Sequence, residues 1–201
     1  MNNELLQWIS TSGRLLGAMF YYEPKDQRVA SILDFFKQPD WIEEWAPLAQ
    51  SEQISTLVKK GLQQNLSADY QYLFIGPNDL PAPPWGSVYL DKESVIFGDS
   101  LLALRSFLQS NQINFVQTLN EPEDHLGLML MLAAYLAENR PQLLNEFLSK
   151  HLLTWGYRCL DLLIEQQNFP FYQGIALLAR ETLQGWQQQA DIQPAQLQLY
   201  R

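Results

Sequence analysis

The sequence contains one cysteine, Cys159, and only two histidines, His125 and His151. A single thiol excludes an intrachain disulfide. With no cysteine pair and no His-Glu-x-x-His pattern, a zinc site has no basis. Basic residues are scarce as well: 13 Lys and Arg face 22 Asp and Glu, a formal net charge of -9. Nucleic-acid phosphate and anionic lipid are held mainly by Lys and Arg, so neither is expected as a partner, while a basic ligand such as an arginine-bearing peptide is favoured. There is no Gly-x-x-x-x-Gly-Lys-Ser/Thr loop for a nucleoside triphosphate, no Gly-x-Gly-x-x-Gly for a dinucleotide and no Gly-x-Ser-x-Gly nucleophile turn. The longest uncharged apolar run, residues 126–137, falls short of the ~18 residues a membrane span needs. Residues 1–10 carry no Lys or Arg ahead of their apolar positions, so no secretory signal is expected. These absences predict a cytoplasmic chain that does not insert into a membrane.

What is present is core material. Apolar residues make up 47% of the 201, with 6 Trp, 9 Tyr and 10 Phe, enough to bury the interior of one domain spanning residues 1–201. Leu5, Trp8, Ile9, Leu15, Leu16 and Met19 recur at helical spacing until Pro24. Further helices are predicted over 26–37, around Ile54, Leu57, Val58 and Leu62, over 68–74, and from a cap at Asp99 or Ser100. The second half predicts helices over 122–139, 141–149, 152–167 and 171–189, with Pro122, Pro141 and Pro170 near their starts, where a missing N–H costs nothing. Residues 87–90 and 95–97 are the only short strand candidates, and the polar tail 188–198 is expected to fray. The fold class is all-α, a single-domain helical bundle. Cys159, within a helical apolar stretch, is expected as a buried inert thiol, and His151 as a joint between helices.

Two segments break the helical pattern. Residues 76–98 hold four prolines and three glycines, which forbid a continuous helix. Connections of this length inside a compact domain are uncommon, and Leu80, Trp85, Val88, Tyr89, Leu90, Ile96 and Phe97 give this one too much apolar surface to stay solvated. An ordered loop is expected, either covering the open side of the bundle or binding through Trp85 on a proline-stiffened backbone. The second segment is Glu121-Pro122-Glu123-Asp124-His125. Helix capping accounts for Glu121, Pro122 and Glu123. Asp124 can orient His125 or accept a hydrogen bond from a ligand guanidinium. An Asp-His hydrolase is the alternative reading, but no nucleophile or metal set accompanies the pair.

Several motifs resemble the TorD/DmsD family of redox-enzyme maturation chaperones. They are Tyr72-Leu73-Phe74-Ile75-Gly76-Pro77, Leu80-Pro81-Ala82-Pro83-Pro84-Trp85-Gly86-Ser87-Val88-Tyr89-Leu90-Asp91, Phe97-Gly98-Asp99-Ser100 and Asn120-Glu121-Pro122-Glu123-Asp124-His125. Arg14-Leu15-Leu16-Gly17 and Phe169-Pro170-Phe171-Tyr172 also fit, so the resemblance spans essentially the whole chain. It implies an all-helical cytoplasmic protein that is not an enzyme. It implies binding of the twin-arginine signal peptide of a molybdopterin reductase catalytic subunit, of dimethyl sulfoxide reductase type or alternatively of trimethylamine N-oxide reductase. Export is then held back until cofactor insertion and folding are complete, and the twin-arginine translocase is a further implied partner. The leader-binding positions it implies are Tyr70, Leu73, Phe74, Pro84, Trp85, Gly98, Asp124 and His125, with Leu73, Phe74 and Gly98 either touching the leader or holding the loop in shape. Tyr70 and Asn78 stand where the family pattern has tryptophan. No cofactor is expected. Guanine nucleotide, associated with the family, is a minor expectation because no phosphate loop is present.

Overall fold

The computed structural model describes residues 1–45, 47–114 and 121–201. Asn120 of the last family motif lies outside them. Among the described residues ten α-helices follow in order: α1 Asn3–Tyr21, α2 Gln27–Lys37, α3 Ser51–Gly61, α4 Leu66–Tyr70, α5 Gly86–Leu90, α6 Asp99–Ser110, α7 Leu126–Asn139, α8 Pro141–Phe147, α9 Gly156–Ile164 and α10 Pro170–Gln189. Single π-helical turns, Gln71–Ile75 and Leu148–Leu152, extend α4 and α8. No strand occurs among the described residues; one isolated bridge joins Trp85 to His125.

Local chemistry sets several of these boundaries. Asn2 Oδ1 accepts from Leu5 N at 2.8 Å to start α1, and Asp26 Oδ1 accepts from Arg28 N at 2.9 Å to start α2. Pro141 and Pro170 open α8 and α10. Helix α7 is apolar nearly all round and is correspondingly buried from Leu126 to Leu130 and at most positions beyond. It crosses α1 closely, while α10 packs on α3, α9 and α1. The core runs through all of these, with Trp155, Trp186, Phe20 and Phe171 among its largest members. Cys159 is buried within it, and burial pushes its thiol up to about 12, so the expectation of an inert thiol holds.

Four expectations are corrected. Helix α7 starts at Leu126 rather than Pro122, because Asp124 O and Leu126 N bond to the proline-rich loop and His125 N closes a turn on Pro122 O. Residues 87–90, a strand candidate, form α5 instead. The cap of α6 is neither Asp99 nor Ser100. Gly98 occupies the cap position, and the carboxylate of Asp91 accepts from Ser100 Oγ at 2.7 Å and from Ser100 N at 3.4 Å. The polar tail is tied down: Ile192 is buried, Ala195 N donates to Ser149 O at 2.8 Å, and Tyr200 N donates to Tyr89 O at 2.9 Å. His151, expected as a joint between helices, does lie in the π-helical turn between α8 and α9, and its ring packs 5.1 Å from that of Phe107 of α6.

Candidate functional site

The proline-rich loop and the acidic segment before α7 are adjacent, joined backbone to backbone. Leu126 N donates to Pro84 O at 2.7 Å and Gly86 N donates to Asp124 O at 3.0 Å, on either side of the Trp85–His125 bridge. The free N–H groups at the start of α7 are thus satisfied partly by the loop. His125 supplies another acceptor: its Nδ1 takes the Gly127 N–H at 3.1 Å, making it the N-cap of α7. Its ring lies edge-on to Tyr21 at 5.3 Å and to Trp85 at 6.2 Å. Full burial holds its imidazole down at about 3, so it is neutral at pH 7.

Asp124 is equally enclosed. Its Oδ2 accepts from Ser87 N at 2.7 Å, fixing the first turn of α5, and burial raises its carboxyl above the ordinary range. Its Oδ1 has no hydrogen-bond partner among the described residues. Asp124 lines a largely apolar cavity of about 300 Å³ shared with Leu104, Met129, His151 and Trp155, and the tail residues Ala195 and Leu197 form part of its wall. Asp124 therefore bonds the loop and His125 bonds its own helix. The expected Asp-His pairing is absent from this geometry, and with it the basis for a hydrolase. Among the described residues no three His, Cys, Asp or Glu side chains gather as a metal set.

The other expected site residues divide into two groups. Tyr70, Leu73, Phe74 and Pro84 are buried, an arrangement in which Leu73 and Phe74 hold the loop in shape. Tyr70 donates its hydroxyl to Tyr21 O at 2.9 Å, and Phe74 sets its ring edge against Tyr172 at 5.2 Å. These residues anchor the base of the loop to α1 and α10. Trp85 and Gly98 are the members that reach the surface. Trp85 Nε1 donates to Glu121 Oε2 at 3.0 Å. Glu123 is also partly exposed and pairs with Arg105. Sequence reasoning placed Glu121 and Glu123 in a helical turn and so missed them; they are the carboxylates at the rim, whereas Asp124 and His125 lie beneath. Asn78, which departs from the family pattern, bridges Tyr72 O and Asp79 O at 3.1 and 3.0 Å and so fastens the turn after Gly76.

Gly98 has a close-approach requirement. A Cβ there would run into the Asp91 carboxylate that caps α6. Gly98→Ala is expected to displace that carboxylate and cost about 1–2 kcal/mol, the range for a lost cap, measurable by urea denaturation. Asp91→Ala should cost a similar amount, and the two losses should not add.

The fold and this rim define an all-helical binding protein, with a partly exposed indole and two carboxylates over a buried bracing layer. Its sequence matches the family model described as nitrate reductase delta subunit over residues 38–161. It is 59% identical to the probable Tat proofreading chaperone DmsD of Haemophilus influenzae, covering 98% of both chains. It is 44% identical to the Tat proofreading chaperone DmsD of Salmonella typhimurium, covering 96% of this chain and 95% of that one. The chain belongs to the TorD/DmsD family of redox-enzyme maturation chaperones. A putative redox enzyme maturation protein from Archaeoglobus fulgidus shares the fold at a TM-score of 0.56 and 20% identity, covering 86% of this chain and 93% of that one.

Proposed function

We propose that this protein is a cytoplasmic chaperone that binds the twin-arginine signal peptide of a molybdopterin reductase catalytic subunit, of dimethyl sulfoxide reductase type, and holds back its export until the cofactor is in place and folding is complete. The observation that carries this reading is the rim formed by Trp85 with Glu121 and Glu123, which offers aromatic surface beside negative charge. A twin-arginine leader presents the complementary chemistry, two guanidiniums beside an apolar stretch. Proteins named as Tat proofreading chaperones at 59% and 44% identity support it. Buried Tyr70, Leu73, Phe74, Pro84, Asp124 and His125 act in this reading by holding the loop in its binding shape, and the translocase receives the client after release. No helix among the described residues is long and apolar enough to cross a membrane.

Calorimetry with a synthetic twin-arginine leader tests the reading. Trp85→Ala should weaken binding by about tenfold or more, as expected for an aromatic anchor, with little change in stability because the indole is partly solvated. Affinity no better than for a scrambled leader would overturn the function. Competition between leaders of the two reductase types then identifies the client.

A further inference from the structure

Phe97 sits at the end of the proline-rich loop, just before α6, in a conformation that favours glycine. Its φ is 74° and its side chain is 62% exposed. Left-handed backbone costs a side-chain-bearing residue roughly 1–2 kcal/mol, and here no burial of the ring offsets it. Leu102, in the first turn of α6, is 54% exposed, and Val95 and Ile96 are exposed next to Phe97. Exposed apolar side chains gathered along residues 95–102 of an otherwise acidic protein mark a place for a partner.

Alongside it, Arg105 of α6 places Nε and Nη2 at 2.9 and 2.8 Å from Glu123 Oε2, with its guanidinium carbon 5.9 Å from the centre of the Phe97 ring. A carboxylate and an aromatic face together are what hold the arginine of a bound peptide. The Arg105 and Glu123 side chains are 39% and 20% exposed, so water reaches the pair and the internal contact is a weak one. Glu123 lies two residues from Glu121, the partner of Trp85, so the pair borders the rim already described.

We infer that Glu123, Phe97 and Leu102 form a guanidinium-plus-apolar subsite for the leader, with Arg105 as its resident placeholder. This rests on the leader-binding function proposed above. An arginine of the leader takes over Glu123 while Arg105 swings into solvent, so no carboxylate is left unpaired. The apolar stretch that follows the charged region of a signal peptide covers Phe97 and Leu102. The exchange of one guanidinium for another is nearly neutral, so the gain comes from the covered apolar surface. A lysine leader fails because an ammonium cannot reproduce the planar fork.

Calorimetry on the full chain, with a twin-arginine leader and its twin-lysine counterpart, tests the inference. Glu123→Gln should bind the arginine leader about tenfold more weakly and lose most of its preference over the lysine leader. Arg105→Gln should bind about fivefold more tightly, a gain that vanishes when Glu123→Gln is also present. Phe97→Gly should weaken binding while raising resistance to urea, since glycine relieves the left-handed strain; a merely structural Phe97 would lose both or neither. If the wild-type protein binds the leader but these variants match it in affinity and in arginine preference, the subsite is wrong and the chaperone function stands. If the wild-type protein does not bind the leader, the function itself fails.

Discussion

His125→Asn will flatten the acid limb of the protein's stability curve. His125 is the N-cap of α7 and fully enclosed, and its imidazole falls from 6.5 to about 3 on folding because burial disfavours the charged form. The sign follows from proton linkage: a group depressed on folding supports the native state above its unfolded value. That support is lost as pH falls toward the folded value. The window therefore runs from about pH 6.5 down to about 3, and at about 1.4 kcal/mol per pH unit the full loss is on the order of 5 kcal/mol. His151, also depressed by burial, adds to the slope in the same direction. Asp124, raised by burial, opposes it, since protonation of its carboxyl favours the folded state. Asparagine is a favoured N-cap that can still accept from Gly127 N, so the variant removes the titration and keeps the cap. Urea denaturation at half-unit intervals from pH 7 to 4 should show the variant losing much less stability than the wild type. Parallel curves would mean that His125 is protonated in the folded state.

The same residue shows where the sequence was and was not legible. Asp26, Pro141 and Pro170 act on their immediate neighbours, so the starts of α2, α8 and α10 could be read from local chemistry. Glu121-Pro122-Glu123 looks locally like a first helical turn, yet the chain there is committed to a partner far away in sequence. The Leu126 N–H bonds to Pro84 O, and the Gly86 N–H bonds to Asp124 O. Long-range backbone pairing leaves no periodic trace, and it turned presumed capping acids into rim carboxylates. The docking of Tyr200 on Tyr89 was invisible for the same reason. The motif residues were found as a set, but their depth was not. Leu73 and Phe74 point inward with Tyr70, at the i, i+3, i+4 spacing of one helix face, while Tyr72 and Ile75 point outward. Trp85 was identified because an indole amid four prolines is conspicuous; Phe97 was not, because its left-handed backbone cannot be seen in composition.

Gly17→Val is expected to damage the frame that carries the site severely. Helices α1 and α7 meet backbone to backbone: a Cβ at Gly17 would lie 2.6 Å from Gly127 O and 2.7 Å from Met131 Cγ, and one at Gly127 would lie 2.6 Å from Gly17 O. Backbone atoms cannot step aside as a side-chain tip can, so the helices must separate, and about 3 kcal/mol of stability is lost. Intrinsic helix preference acts the other way, because valine is a better helix former than glycine. The exposed α1 position Gln7, changed to valine, should therefore move stability by no more than a few tenths of a kcal/mol. The consequence reaches the rim. Tyr21, one turn beyond Gly17, packs on His125 and accepts the Tyr70 hydroxyl through its carbonyl, so a shift of α1 loosens both ends of the loop's attachment. Gly17→Ala, with one methyl to accommodate, should lose about 1–2 kcal/mol and keep a folded bundle. In that variant leader affinity should fall although no surface residue has changed. Unaltered affinity beside reduced stability would show that the rim holds its shape independently of the α1–α7 crossing.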